Sequence, residues 1–339
     1  MSNLPNQPKP QDQNQILEKL AYQSHLHYDL PQNSTIQLLN LSENATFLIS
    51  NPRANFKSIL RIHRPGYHSD QAIESEIHWL LDLQNHDHIT IAKPIPGRNG
   101  KYLQILSIPD PPETRRAVMF EFLPGKEPDA NDLNSFEKLG TVTAHLHLHA
   151  QSWDKAPSIN RHTWDLHTMF FSEKPTWGRW QDGLGVTAER GSILARLADK
   201  IAAEISNYGK NNNNFGLIHA DLRLANLLLD GENVKVIDFD DCGFSWYLYD
   251  LATALSFIED QPQIPQLISA WLKGYEKIKP LHREEKEIIP FLIMARRLLL
   301  LAWVGSHQEA PFPRQLGEGF TISTCRLAEK FLNNDWQII

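Results

Sequence analysis

The fold turns on residues 216–238, Gly216-Leu217-Ile218-His219-Ala220-Asp221-Leu222-Arg223-Leu224-Ala225-Asn226-Leu227-Leu228-Leu229-Asp230-Gly231-Glu232-Asn233-Val234-Lys235-Val236-Ile237-Asp238. Within them His219, Asp221 and Asn226 follow the order H-x-D-x-x-x-x-N, and Asp238 closes a short apolar run. The runs 227–229 and 234–237 are strand-like and are joined through Asp230-Gly231, a strong turn signal. A hairpin closed there brings Asn226 and Asp238 to the same open end. One amide and one carboxylate at that end supply oxygen ligands of the kind Mg²⁺ takes together with phosphate and water. Asp221 then faces an attacking hydroxyl, whose proton it accepts or orients while the metal neutralises charge on a transferred phosphoryl group. Catalysis of this kind is mostly positioning and electrostatics. Any one of these residues alone fits an ordinary polar turn. Four of them at these intervals, in this strand context, indicate phosphoryl transfer.

Composition agrees with a globular chain: 339 residues, 22% charged and 41% hydrophobic, are enough for two lobes, each with its own core. A net charge of -7 argues against a nucleic-acid binder, which carries a basic face, and allows a cationic substrate. Two cysteines, Cys242 and Cys325, make no disulfide framework, and no charged segment leads into an apolar one at the amino end. These features predict a cytoplasmic protein. The apolar run 298–304 is too short for a membrane span, follows Arg296 and Arg297, and reads as part of a buried helix, so no membrane partner is expected.

Residues 1–14 lack apolar periodicity and are expected to form a disordered tail. A short helix is expected over 16–22, with His25 and His27 as surface residues. Strands are expected over 35–41 and 45–50, around Ser42-Glu43-Asn44, and again over 58–63. In the last of these, period-two alternation sets Ile59, Arg61 and His63 on one face and Leu60 and Ile62 on the other. Ser69 or Asp70 caps a helix with an apolar stripe of Ile73, Ile77, Leu80 and Leu81, and its periodicity does not choose between Glu74 and Glu76. The run 117–125 is a strand ending in Leu-Pro-Gly. A helix over 133–150 carries His145, His147 and His149, which without a His-Glu-x-x-His pattern are expected to be structural or surface residues. Trp153, Trp164, Trp177 and Trp180 follow, either as a cage for an ammonium group or as core anchors.

His219-Ala220-Asp221-Leu222-Arg223-Leu224-Ala225-Asn226, with Val236-Ile237-Asp238-Phe239-Asp240-Asp241 after it, resembles the aminoglycoside phosphotransferase and choline kinase superfamily. Within that superfamily the chain resembles the stress-response kinase A (RdoA) group and type II homoserine kinases, from about Leu38 to the last helices. The resemblance implies an α+β, two-lobed protein-kinase-like fold. The first lobe, residues 15–122, is a five-stranded, mostly antiparallel sheet with one helix, and the second, 123–339, is mainly helical. It implies Asp221 as catalytic residue, Asn226 and Asp238 as metal ligands, and ATP and Mg²⁺ as the cofactors. Glu76 becomes the partner of Arg61, which stands where these families carry a phosphate-binding Lys; Arg forks to oxyanions but is not interchangeable with Lys. The turn with Asn44 either lies over the nucleotide or is a plain hairpin turn. Backbone groups from Glu121 to Leu123 pair with the adenine edge, and Asp250 steadies the catalytic loop from behind. The acceptor is a hydroxyl of a small amino alcohol or of a protein Ser or Thr. A nucleotide-binding regulatory pseudokinase is the alternative, because Arg61 replaces Lys, and the intact set Asp221, Asn226 and Asp238 argues against it.

Overall fold

The computed structural model describes residues 10–41, 43–231 and 233–339. They divide into two compact units. One runs to Asn85 and resumes over Ile91–Leu123; the other comprises His86–Thr90 and Pro124–Ile339. The five-residue excursion at 86–90 is the one departure from a single cut near residue 122.

The first unit is built on an antiparallel sheet of six strands, one more than expected. In chain order these are β1 (Thr35–Leu41), β2 (Ala45–Asn51), β3 (Phe56–Ile62), β4 (Pro94–Ile95), β5 (Gln104–Pro109) and β6 (Pro112–Glu121). Their order is β1-β2-β3-β6-β4, with β5 also on β6. The additional strand is the two-residue β4, whose Pro94 and Ile95 pair with Phe120 and Met119, too short to leave a periodic trace.

Alternation in β3 divides its side chains as the sequence implies. Leu60 and Ile62 join Phe47, Ile49, Leu106 and Met119 in one core, while Arg61 is turned to the other face. That core is closed by α1 (Pro10–Tyr22), through Leu17, Leu20 and Ala21. The helix begins at Pro10, so residues 10–14, expected within a tail, form its first turn. Residues 1–9 of that tail lie outside the described residues. The other face carries α2 (Asp70–Leu83), started by Ser69, whose hydroxyl accepts from Ala72 N–H.

The second unit is mainly helical. Its central pair is α3 (Leu133–Ser152) and α6 (Ile264–Glu276), in contact along much of their length. Backbones this close need glycine: a Cβ on Gly140 would lie 2.0 Å from Trp271 O, and one on Gly274 1.8 Å from Glu137 O. Between them in sequence lie α4 (Ala188–Tyr208), β7 (Phe215–Ile218), the hairpin β8 (Leu227–Asp230) and β9 (Asn233–Val236), β10 (Gly243–Trp246) and α5 (Tyr249–Ala254). β7 and β10 pair antiparallel, Gly243 opposite Ile218, so the chain enters and leaves the 219–242 segment side by side.

α7 (Ile289–Ser306) follows and, apart from Arg296 and Arg297, is largely apolar all round. With the turn before it, it is long and apolar enough to cross a membrane, but it is largely buried inside the protein, as the core helix of a folded domain is.

Candidate active site

In the first unit, Arg61 Nη2 lies 2.7 Å from both Glu76 carboxylate oxygens. Glu76 has no exposed surface and Arg61 is 5% exposed, whereas Glu74 points to solvent. A buried charge is tolerated when it is paired, so the structure selects the carboxylate that helical periodicity left open. The Arg61 guanidinium also lies 5.0 Å from the centre of the Phe120 ring, a cation–π contact. Asn44 turns its side-chain oxygen to Arg64 N–H at 3.0 Å, tying the turn before β2 to the end of β3. Ser42 lies outside the described residues. Of the 121–123 stretch, Glu121 N–H is already committed to Lys93 O at 2.8 Å, and Leu123 lies beyond the end of β6.

In the second unit the strand β7 delivers His219, Ala220 and Asp221 into a loop held from beneath. Asp250, at the start of α5, accepts Ala220 N–H on Oδ1 at 2.7 Å and His219 N–H on Oδ2 at 3.2 Å. The same Oδ2 is 3.0 Å from His147 Nε2, and His147 Nδ1 is 2.8 Å from the Tyr275 hydroxyl. Burial drives the His147 ring towards its neutral form against the pull of Asp250, and its pKa falls below the usual histidine value. This network holds Ala220 at φ 64, a left-handed backbone uncommon for alanine. His147 is thus a structural histidine. In the 86–90 excursion His88 stacks on His145 and His86 meets His149 edge to face, with ring centres 4.5 Å apart in each pair.

Asp221 is buried, and three donors converge on its carboxylate. Asn226 Nδ2 lies 2.7 Å from Oδ2, Arg223 Nε 3.1 Å from Oδ2, and Arg296 Nη2 2.7 Å from Oδ1. Burial by itself raises its pKa; the positive charges of Arg223 and Arg296 outweigh that, and the carboxyl is held below the ordinary range.

Asn226 spends its amide nitrogen on Asp221, on both the backbone oxygen at 2.8 Å and the carboxylate, so its side-chain oxygen faces away. The β8–β9 hairpin closes with Leu227 opposite Val236, and Ile237 N–H reaches Asn226 O at 3.0 Å. Asn226 and Asp238 therefore stand at one end of the ladder, as the turn at Asp230-Gly231 requires. Asp238 is exposed and sits at φ 60. An amide oxygen and an exposed carboxylate at one hairpin end form a hard oxygen donor pair, which fits a divalent cation bound with water and phosphate.

The tryptophans prove to be anchors rather than an open cage: Trp153, Trp164, Trp177 and Trp180 are 8%, 1%, 4% and 7% exposed. Trp164 Nε1 donates to Asp241 O at 2.8 Å, and Arg161 donates to the carbonyls of Cys242, at 2.8 Å, and Asp240. They brace the loop that follows Asp238. Neither Arg161 nor Arg296 is legible as a site residue from local spacing. The available signal for Arg296 is a charge inside an otherwise apolar helix.

An antiparallel sheet bearing a buried Arg–Glu pair, and a helical unit bearing an Asp loop and an Asn/Asp hairpin, are the parts of a protein-kinase-like phosphotransferase. The chain belongs to the phosphotransferase enzyme family, whose profile matches residues 35–285. A solved structure of a microcompartment-associated aminopropanol kinase is 40% identical, with a TM-score of 0.85 over 94% of this chain and 98% of that one. Amicoumacin kinase of Bacillus subtilis (strain 168) is 26% identical over 78% of each chain. Homoserine kinase of Gluconobacter oxydans (strain 621H) is 26% identical over 80% of this chain and 84% of its own. The protein is an enzyme of the kinase type, and the resemblance to homoserine kinases and to the wider superfamily holds.

Proposed function

We propose that this kinase transfers the γ-phosphoryl group of ATP, with Mg²⁺, to the hydroxyl of a small amino alcohol of the aminopropanol class. The observation that carries the reaction is the Asp221 carboxylate, anchored through Asn226 beside a hairpin end that offers the oxygen donors of Asn226 and Asp238. The acceptor class rests on the 40% identity to an aminopropanol kinase along nearly the whole of both chains. Net charge of -7 is compatible with a cationic acceptor.

In this reading Asp221 receives a hydrogen bond from the acceptor hydroxyl. An electron pair of that oxygen forms the new O–P bond as the bond from the γ-phosphorus to its bridging oxygen breaks, and the latter pair leaves on ADP. Mg²⁺ held by Asn226 and Asp238 supplies charge neutralisation for the phosphates. Arg61, fixed by Glu76 and Phe120, steadies nucleotide phosphate, and backbone near Leu123 meets the adenine.

The test is ATP consumption with Mg²⁺ across aminopropanol, ethanolamine, choline, homoserine and a basic protein acceptor, with Asp221→Asn as control. Stimulation by aminopropanol that the variant abolishes is the expected result. Phosphate appearing only on the protein acceptor would refute the small-molecule reading. Asp238→Ala should weaken Mg²⁺-dependent nucleotide binding; equal Mg²⁺ dependence in the variant would remove Asp238 from the metal site.

A further inference from the structure

Resting on the reading of Asp221 as the acceptor-facing group, the contacts of its carboxylate specify which oxygen does the work. A carboxylate offers about four lone-pair directions. Oδ2 receives two donors, Asn226 Nδ2 and Arg223 Nε, and Oδ1 receives one, Arg296 Nη2. Among the described residues, the direction left over belongs to Oδ1, the oxygen that Arg296 grips.

Arg296 is an unusual residue to find there. It comes from the middle of α7, where Ile293, Met294, Leu299 and Leu300 are all buried, and is itself 2% exposed. Its Nε is 3.0 Å from Ser256 Oγ, and its guanidinium lies 5.1 Å from the centre of the Trp177 ring. Desolvating a cation is costly even when it is paired, and a methionine of similar length would fill the same space without that penalty. Fold stability therefore gives no reason for an arginine at this position. Its head touches Asp221.

We propose that Arg296 is a positioning residue for phosphoryl transfer, fixing Asp221 Oδ1 as the oxygen that meets the acceptor hydroxyl and pairing its negative charge. The rigidity comes from a cation clamped on three sides, by Asp221, Ser256 and Trp177. With Arg223 on the other oxygen, the carboxylate is paired with two cations and is a weak proton acceptor at the start of the reaction. It orients the hydroxyl first. The proton crosses to Oδ1 late, when the O–P bond has made the former hydroxyl strongly acidic and the electron pair of the broken bond already rests on ADP, and it is then lost to water.

The experiment compares wild type, Arg296→Met, Arg296→Lys and Asp221→Asn in kcat and in KM for ATP, with aminopropanol as acceptor. Arg296→Met should lower kcat about 100-fold, the size of effect typical for losing one preorganised electrostatic contact, with the KM for ATP changed less than about 3-fold. Arg296→Lys keeps the charge and loses the fork, so kcat should recover only in part.

Arg296→Met with kcat within about 2-fold of wild type, while Asp221→Asn loses turnover, would overturn the role of Arg296 and leave the reaction reading intact. Wild-type turnover in Asp221→Asn would overturn the reaction reading itself. Should the methionine variant fail to fold, the lysine variant decides: full kcat contradicts the need for a forked, fixed contact.

Discussion

Replacing Asp250 separates two ways in which a buried carboxylate can hold a loop. In Asp250→Ala, the N–H groups of His219 and Ala220 lose their acceptor in a fully buried place, and each such orphan costs roughly 1–3 kcal/mol. The hole left by the side chain adds to this, so about 3–5 kcal/mol of destabilisation is expected, a large part of the 5–15 kcal/mol a domain commonly has. Asp250→Asn should cost less. Its amide oxygen can still take Ala220 N–H, and its NH₂ can face His147 if that ring changes tautomer, donating from Nδ1 to the Tyr275 oxygen and accepting on Nε2. His219 N–H and the Tyr275 hydroxyl proton are then stranded, for about 2–3 kcal/mol, and no hole is left. Urea unfolding of the three proteins gives the stability order, and kcat at saturating ATP shows whether Ala220, at φ 64, keeps the loop in place. Equal destabilisation by Ala and Asn, or loss of less than about 1 kcal/mol in the alanine variant, would refute the hydrogen-bond account.

Three further outcomes follow from the geometry. Arg61→Lys should lower kcat/KM for ATP about 10-fold, since an ammonium drawn to Glu76 cannot also cover Phe120 as a planar guanidinium does; a gain in steady-state turnover would show the native site to be impaired. His147 is held neutral below its unfolded pKa of about 6.5, so the unfolded chain binds the extra proton and stability should fall as pH drops below that value; His147→Gln should flatten this part of the stability–pH curve from chemical denaturation. Gly274→Ala should destabilise by about 2–3 kcal/mol in the same assay, because its Cβ would press on Glu137 O; a neutral effect would mean that α3 and α6 separate easily.

What the sequence made legible is what lies close together along the chain. His219, Asp221, Asn226 and Asp238 span two short strands and one turn, so their spacing alone sets the geometry of the hairpin end. The alternation of β3 likewise gave the face on which Arg61 would be found. The choice of Glu76 over Glu74 came from family resemblance, and burial supports it, since only Glu76 sits where a charge must have a partner. Arg296 was out of reach for a different reason. It meets Asp221 across 75 residues of chain, and no periodicity links a helix to a loop that far away. The first turns of α1 were hidden because residues 10–15 are polar, and the place of the helix in the fold depends on three apolar side chains meeting a sheet formed later in the chain. The tryptophans could be read two ways, since a ring that anchors a core and a ring that lines a pocket look alike in sequence.

The bracing of the 240–242 carbonyls by Arg161 and Trp164 has a consequence for protein engineering. The segment 151–185 invites wholesale exchange with a relative's to obtain a new acceptor preference. Here, however, the same segment is the scaffold of the loop directly after Asp238, so a graft that omits those two side chains would release the three carbonyls next to it. A chimera that keeps Arg161 and Trp164 while varying the rest of the segment tests substrate preference; one that replaces them tests whether nucleotide binding in the recipient keeps its Mg²⁺ dependence.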